Sequence, residues 1–247
     1  MLKKLRKTIF ECTSRLEAAI SSKWAAGAHR RLMHAQWRMG DNPEFFDHHI
    51  DLFYQWTTTR SSFWVERGVF GGIALKGKNV LELACGDGFN AKNFYSSRSK
   101  HVLACDFDKA AIATAKAKNS APNVTFLLAD IRTDMPEGTF ENIVWDAAIE
   151  HFLPPEIADI MANIKKRLTP DGVLSGYTLV DGPETIHQHE YQFKDLPDLA
   201  SFLTPHFKNV RVFETHHPDR HNLYFWASDG SVPFDTDWPH GLTYHKA

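Results

Sequence analysis

The chain has 247 residues, of which 43% are hydrophobic and 13% aromatic, with a net charge of −2. Such a chain can bury a large apolar core as one α/β domain with additions. No run approaches the roughly 20 consecutive apolar residues of a membrane-spanning helix, and the N-terminus does not have the pattern of a signal peptide. We therefore expect a cytoplasmic protein. The three cysteines have the spacing of neither a disulfide framework nor a zinc knuckle.

The charge is distributed unevenly along the chain. Residues 1–38 carry nine Lys and Arg against two Glu, which leaves 19 of the 28 basic and 28 of the 30 acidic residues in the remainder. An acidic remainder argues against a nucleic-acid-binding groove, so no nucleic acid is expected as a partner. In the basic segment, apolar residues recur at steps of three, four or seven, which predicts an amphipathic helix. Such a helix would pack on the domain or on a second subunit, or rest its basic face on anionic lipid.

Changes of composition divide the chain into four predicted regions. Residues 1–40 form a basic helical extension, residues 41–76 an aromatic-rich helical cap, residues 77–230 the core domain and residues 231–247 an irregular tail. In the core, short apolar strands alternate with helical periods, which is typical of βαβ units in a doubly wound, mostly parallel α/β sheet. The predicted strands are Asn79–Ala84, His101–Cys105, Val124–Leu128, Asn142–Trp145 and Val173–Val180, and the helices are Asp108–Lys118 and Pro155–Leu168.

The core domain ends differently. Asn209–Thr215 and Asn222–Ala227 both have the composition of strands, and only six residues join them. Because so short a connection has no room for a crossover helix, the two strands should be antiparallel.

A glycine-containing turn follows the first predicted strand. Gly86 and Gly88 lie between that strand and a helix, where the backbone must turn sharply and let a ligand approach closely. Asp106 closes the next strand, 20 residues after Gly86, at a place where a carboxylate can accept hydrogen bonds from the ribose hydroxyls of an adenosine ligand. Because Gly86-x-Gly88-x-x-Ala91 also satisfies the dinucleotide fingerprint, this motif alone does not distinguish NAD from S-adenosylmethionine (SAM).

Further motifs make the sequence similar to the class I SAM-dependent methyltransferases. The likeness covers residues 45–228 and implies a Rossmann-like, seven-stranded sheet with the last strand antiparallel, in agreement with the pattern of strands. The motifs that carry it are Glu82-Leu-Ala-Cys-Gly-Asp-Gly88, Cys105-Asp106-Phe107, Ala129-Asp130-Ile131, Ile149-Glu150-His151-Phe152 and Arg167-Leu-Thr-Pro-Asp-Gly172.

The resemblance assigns one group of residues to the methionine end of SAM. Ala84, Gly86 and Gly88 would line the methionine portion, with Glu82 ahead of the turn. The family often has a third glycine where this chain has Asn90, so the chain departs from the pattern at that end.

A second group of residues is expected near the adenosine. Asp106 would hold the ribose, and Phe107 would pack on the adenine. Asp130 would accept the adenine amino group, and Ile131 would stack near it. Asp146, at the end of the fourth strand, completes the set of residues expected at the cofactor.

The aromatic-rich cap has two possible roles. Tyr54 and Arg60 could close over the cofactor and face its carboxylate end. Alternatively, the aromatic residues around Tyr54 form a buried apolar helix face at i, i+3, i+4 spacing.

The acceptor of the methyl group needs a pocket beyond the carboxyl ends of the strands, and in some reactions a base. His151 is the first candidate base, because it follows a strand end at the cofactor and imidazoles titrate near physiological pH. His187 and His189 are further candidates, since alternating residues point to one side of an extended segment. His151 could instead only brace its loop. No histidine, including those between residues 216 and 221, has zinc-ligand spacing, so we predict no metal site.

The sequence therefore predicts an enzyme that uses SAM to methylate an oxygen of a small polar acceptor, with S-adenosylhomocysteine as the second product. A sugar or saccharide precursor is the favoured acceptor. An N-methyltransferase or a lipid-acceptor methyltransferase is the alternative, and a nonenzymatic SAM-binding protein is a second one. Residues 1–38 are expected to mediate peripheral membrane contact or self-association.

Overall fold

A computed structural model describes residues 63–180, 189–217, 220–233 and 241–243, together with helical residues between 8 and 31. The chain forms two compact units, one of residues 1–62 with 246–247 and one of residues 63–245. In the first unit the described residues are 8–10, 12–17, 19–21, 23–24, 27–28 and 31, all of them helical. No helix among the described residues is long and apolar enough to cross a membrane.

The second unit alternates strands and helices, as the sequence predicts. Its helices are α1 (Phe63–Ile73), α2 (Lys109–Lys118), α3 (Pro154–Arg167) and α4 (Leu196–Leu203). Its strands are β1 (Asn79–Leu83), β2 (His101–Asp106), β3 (Val124–Leu128), β4 (Phe140–Asp146), β5 (Leu168–Leu179), β6 (Asn209–His217), β7 (Arg220–Ser228) and β8 (Gly241–Thr243). Short 3₁₀ or π turns cover Ala91–Tyr95, Ser96–Arg98 and Ile149–His151.

All eight strands form one sheet, in the order β3-β2-β1-β4-β5-β7-β6-β8. β1 to β5 are parallel, and β7 lies antiparallel between β5 and β6. The predicted doubly wound sheet with an antiparallel last strand is therefore confirmed. The sheet order reverses between β1 and β4, and ligands of open α/β sheets bind at such a switch point, beyond the carboxyl ends of the strands.

β8 corrects the prediction in one detail. It is an eighth strand that pairs in parallel with the edge of β6, with Glu214 opposite Gly241. It lies in the tail that the sequence predicts to be irregular. Three residues give too short a pattern to be recognised, whereas the unpaired backbone groups of the β6 edge provide hydrogen-bond partners for them.

Both faces of the sheet are buried, because successive side chains of a strand point to opposite faces and pack against different helices. In β1, Leu81 and Leu83 join the core cluster under α3, while Val80 joins the cluster under α2. Such continuous burial explains why the strands are apolar runs. A third cluster packs Phe70 of α1 edge-on against Phe213 and Tyr224 of the last two strands. α1, which the sequence assigns to the cap, thus packs directly on the sheet.

A buried carboxylate fastens α1 to the antiparallel strands. One oxygen of Glu66 accepts hydrogen bonds from Thr215 Oγ1 at 2.5 Å and Tyr224 hydroxyl at 2.6 Å, and the other lies 3.1 Å from His217 Nε2. Burial raises the pKa of Glu66, but the hydrogen bonds from His217, Thr215 and Tyr224 outweigh it, so the net pKa is lowered. Glu66 is therefore a structural anion that positions α1 at the carboxyl end of the sheet.

Candidate active site

The turn after β1 has the open backbone that the glycine motif predicts. Ala84, Gly86 and Gly88 all have positive φ, at 52°, 53° and 73°. A Cβ on Gly88 would lie 2.4 Å from the ring of Phe126, so no larger residue fits there without a shift of that ring. Cys85 N donates to Cys105 O at 2.9 Å, which ties the turn to the end of β2. The turn therefore presents main chain rather than side chains to a ligand.

Asp106 lies directly beside this turn. Its carboxylate accepts from Gly86 N and from Asp108 N, both at 2.9 Å, and the side chain is almost wholly buried. Burial raises the pKa of Asp106, and the backbone N–H groups act against that rise. Each oxygen holds one N–H and retains a lone pair for a further donor. The next residue, Phe107, is 59% exposed, an unusual exposure for a phenylalanine beside a buried strand.

The residues after β3 are arranged less simply. Asp130 forms a bidentate contact with Arg132, whose Nη2 lies 2.7 Å from Oδ2. This contact is the main reason that the pKa of Asp130 is lowered. Ile131 is buried among the core residues under α3. The predicted contacts of Asp130 and Ile131 with adenine remain predictions, and Asp130 would have to share its carboxylate with Arg132.

A buried polar cluster lies where β1 and β4 end. Asp146 Oδ2 accepts from Arg67 Nη2 at 2.5 Å, Arg67 Nε at 3.0 Å and Asn90 Nδ2 at 2.9 Å. The guanidinium of Arg67 also lies 4.6 Å from the ring centre of Tyr177. Burial lowers the pKa of Arg67, but the charge of Asp146 outweighs it and raises the pKa overall. Sequence reasoning missed Arg67 and its neighbour Glu66; the available signal was an acidic–basic pair inside an otherwise apolar helix.

Two acceptors beside this cluster have no hydrogen-bond partner among the described residues. They are Glu82 Oε2 and Asn90 Oδ1. The pKa of Glu82 is raised well above its ordinary value, mainly because the side chain is buried. The negative charges of Asp146 and Asp87 raise it further. A buried acceptor without a donor is costly, so the cluster suits a ligand that brings N–H groups and positive charge. The α-ammonium group of SAM is such a ligand, and these residues therefore fit the cofactor that the sequence implies.

Replacing Glu82 with glutamine should stabilise the ligand-free protein as pH rises. Because the folded state raises the Glu82 pKa, folding disfavours its ionised form, and this destabilisation grows as pH rises above the unfolded pKa of about 4.5. In urea unfolding between pH 4 and 8, we expect Glu82→Gln to match the wild type near pH 4. At pH 8 it should exceed the wild type by more than about 1 kcal/mol, since one pKa unit corresponds to about 1.4 kcal/mol.

The same substitution should weaken SAM binding about tenfold, because an amide attracts an ammonium group less than a carboxylate does. Glu190→Gln changes an exposed residue and serves as the control, with no pH-dependent gain. Equal pH profiles for Glu82→Gln and the wild type would contradict this account of the buried carboxylate.

Two of the three predicted bases come together beyond β4. The main-chain oxygen of Glu150 accepts from Glu190 N at 2.9 Å and from Tyr191 N at 3.1 Å, which fixes the chain around residue 189 beside the turn Ile149–His151. The rings of His151 and His189 consequently lie 5.1 Å apart, edge to face. His187, Tyr54 and Arg60 lie outside the described residues, so their predicted roles remain predictions.

The other histidines form a separate group. His216 and His221 stack with ring centres 4.1 Å apart on the β6–β7 pair, and both contact Glu214. His217 points instead to the buried carboxylate of Glu66.

The sheet with its antiparallel β7, the glycine turn after β1 and the carboxylate at the end of β2 agree with the fold that the resemblance to class I SAM-dependent methyltransferases implies. Residues 80–172 match the family described as "Methyltransferase domain". The predicted likeness to methyltransferases is thus confirmed for residues 80–172. Two of the similar solved structures are complexes with S-adenosylhomocysteine, which supports SAM as the cofactor.

Among relatives, the malonyl-[acyl-carrier protein] O-methyltransferase of Bacillus anthracis is 29% identical over 116 residues, and that of Bacillus cereus 28%. Each match covers 47% of this chain and 42% of the relative, so the chain matches less than half the length of these curated proteins.

Solved structures agree on the fold. The N-methyltransferase NodS from Bradyrhizobium japonicum WM9, in complex with S-adenosylhomocysteine, is similar with a TM-score of 0.60 at 17% identity, over 81% of this chain and 96% of that one. The DhpI complex with S-adenosylhomocysteine has a TM-score of 0.56 at 20% identity, over 74% and 89% of the two chains. At these identities the likeness shows the fold alone.

Proposed function

We propose that this protein transfers the methyl group of SAM to an oxygen of a small polar acceptor, with a sugar or saccharide precursor favoured. The observation that carries the proposal is the group formed by Glu150, His151 and His189 beyond β4, the strand that pairs with β1. A buried carboxylate and two imidazoles are suited to binding a hydroxyl group and accepting its proton. The O-methyltransferase names of the Bacillus relatives also favour oxygen as the methylated atom.

When bound, SAM supplies a methyl group already activated by its sulfonium. The chain's own residues then have three tasks. Asp106 would accept the ribose hydroxyls, and Glu82 with Asn90 would accept the α-ammonium group, so that the cofactor is held in one orientation. His151 and His189 would orient the acceptor oxygen and accept its proton. Orientation contributes much of the rate in such a displacement, because the two reactants must meet in line.

Other acceptors follow from the relatives. The Bacillus enzymes are named for a malonyl group on a carrier protein, and NodS is named as an N-methyltransferase. A lipid acceptor would suit the basic segment of residues 1–38. A protein that binds SAM without transferring its methyl group is the nonenzymatic alternative. Contact of residues 1–38 with a membrane or a second copy, and a cytoplasmic location, stay predictions of the sequence.

The test is methyl transfer from labelled SAM to four sets of acceptors: sugars and sugar nucleotides, malonyl thioesters, primary amines, and anionic lipid vesicles. We expect label in the sugar set, and a loss of at least about 100-fold in kcat/KM for His151→Ala/His189→Ala. The matched control is His216→Ala/His221→Ala, which removes two imidazoles from the separate β6–β7 strand pair and should retain activity.

If only the amines or only the malonyl thioesters become labelled, the favoured sugar acceptor is wrong and that set contains the acceptor class instead. SAM binding without transfer to any set would favour the nonenzymatic alternative.

A further inference from the structure

The side chains of Glu150, His151 and His189 converge closely enough to share an ion. One ligand atom from each of them lies within 4.8 Å of the other two. The arrangement is built into the fold, because the hydrogen bonds from Glu190 N and Tyr191 N to the main-chain oxygen of Glu150 hold the two segments together. Nothing in the sequence spacing of these three residues resembles a metal motif.

The carboxylate of this group is an independent sign of a ligand. Glu150 is only 2% exposed, and its Oε2 has no hydrogen-bond partner among the residues that the structure describes. Burying a carboxylate oxygen without a donor or cation costs several kcal/mol in general. A cation bound at this point would offset that cost, and the two neighbouring imidazoles would complete its coordination.

We infer that Glu150, His151 and His189 bind a divalent first-row transition metal ion. Two imidazoles with one carboxylate form a common three-ligand set for catalytic zinc and for non-haem iron, and imidazole ligands favour these ions over Mg²⁺. Metal–ligand bonds of about 2.0–2.2 Å place ligand atoms at most about 4.4 Å apart. His151 is exposed, so its side chain has room to rotate and bring its ring nitrogen within this limit.

The position of Glu150, His151 and His189 in the fold indicates a role for this ion in binding the methyl acceptor. The group follows β4, which pairs with β1 at the switch point of the sheet, where ligands of open α/β sheets bind. Three protein ligands leave coordination positions open, and these would bind acceptor oxygens such as neighbouring hydroxyls or a carboxylate. A bound ion of this kind orients the oxygen and lowers the pKa of a hydroxyl. With the ion bound, the two imidazoles would serve as its ligands, and the proton of the hydroxyl would leave to solvent rather than to them. This role rests on the proposed function, whereas metal binding itself does not.

The second group of similar composition provides a matched comparison. Glu214, His216 and His221 also bring their ligand atoms within 4.8 Å. Glu214 is partly exposed and already pairs with His221 at 2.7 Å and His216 at 3.4 Å. These imidazoles satisfy its carboxylate, so this group does not need an ion.

The experiment is a titration of the full chain, without a histidine tag and stripped with a chelator, with Co²⁺ followed by visible absorption. We expect one Co²⁺ per chain, displaced by Zn²⁺ and not by Mg²⁺. Glu150→Gln and His189→Ala should each weaken binding at least 10- to 100-fold, the loss that follows removal of even an outer partner of a metal site. His216→Ala/His221→Ala should bind as the wild type does. Circular dichroism of each variant checks that it is folded.

Absence of Co²⁺ and Zn²⁺ binding would overturn the inference, and so would binding that is lost in His216→Ala/His221→Ala and kept in His189→Ala. The two proposals fail separately. Metal binding without methyl transfer to any acceptor supports the metal site and contradicts the proposed function. Methyl transfer by stripped protein that binds no metal supports the proposed function and contradicts the metal site.

Discussion

Replacing Arg67 with methionine is expected to lower the free energy of unfolding by about 3–5 kcal/mol. Both side chains of the Arg67–Asp146 pair are nearly inaccessible, at 7% and 6% exposure. Without the guanidinium, Asp146 keeps only Asn90 as a donor among the contacts described above and becomes an uncompensated buried charge. Breaking a buried pair by removing one partner typically costs this amount. Urea unfolding at pH 7 measures it.

The control is Arg132→Met, which removes an arginine from the exposed pair with Asp130. Surface pairs contribute about 0–1 kcal/mol, so this variant should remain near the wild type. The double variant Arg67→Met/Asp146→Asn should recover part of the stability, because it removes the stranded charge as well. Equal losses in Arg67→Met and Arg132→Met would show that burial does not decide the effect.

Replacing Asp106 with alanine should weaken the binding of both SAM and S-adenosylhomocysteine by at least about 100-fold. Two hydrogen bonds from ribose hydroxyls to a carboxylate, at roughly 1.5–3 kcal/mol each, account for that factor. The Gly86 N–H would also lose its acceptor, which loosens the turn that we assign to the methionine end of SAM. Isothermal titration with SAM, S-adenosylhomocysteine and NAD measures the change.

Asp108→Ala is the matched control for this experiment. Asp108 lies two residues further on, and its carboxylate caps α2 by accepting from Ala110 N and Ala111 N. Its loss should cost about 1 kcal/mol of stability and leave the affinity for SAM unchanged. If Asp106→Ala bound SAM as tightly as the wild type, the assignment of Asp106 to the ribose would be wrong.

The sequence alone predicted the features that local chemistry fixes. The turn after β1 needs residues that tolerate positive φ, so Gly86 and Gly88 mark it. Asp106 follows at the distance set by one strand–helix–strand unit. The antiparallel β6–β7 pair followed from a connection too short for a helix. In each case the signal lies within a short stretch of chain, where residue type and backbone conformation are directly linked.

The tertiary structure alone decided which distant residues meet at the site. Arg67 reaches Asp146 because α1 packs on the sheet, and His189 reaches His151 because two backbone N–H groups bind Glu150. The short strand β8 likewise exists because β6 has an open edge. These contacts depend on packing between segments far apart in the chain, and no local pattern of residues encodes such packing. The turn and the carboxylate that we assign to the cofactor were therefore recognisable in the sequence, whereas the buried charges and the paired imidazoles could be found only from the fold.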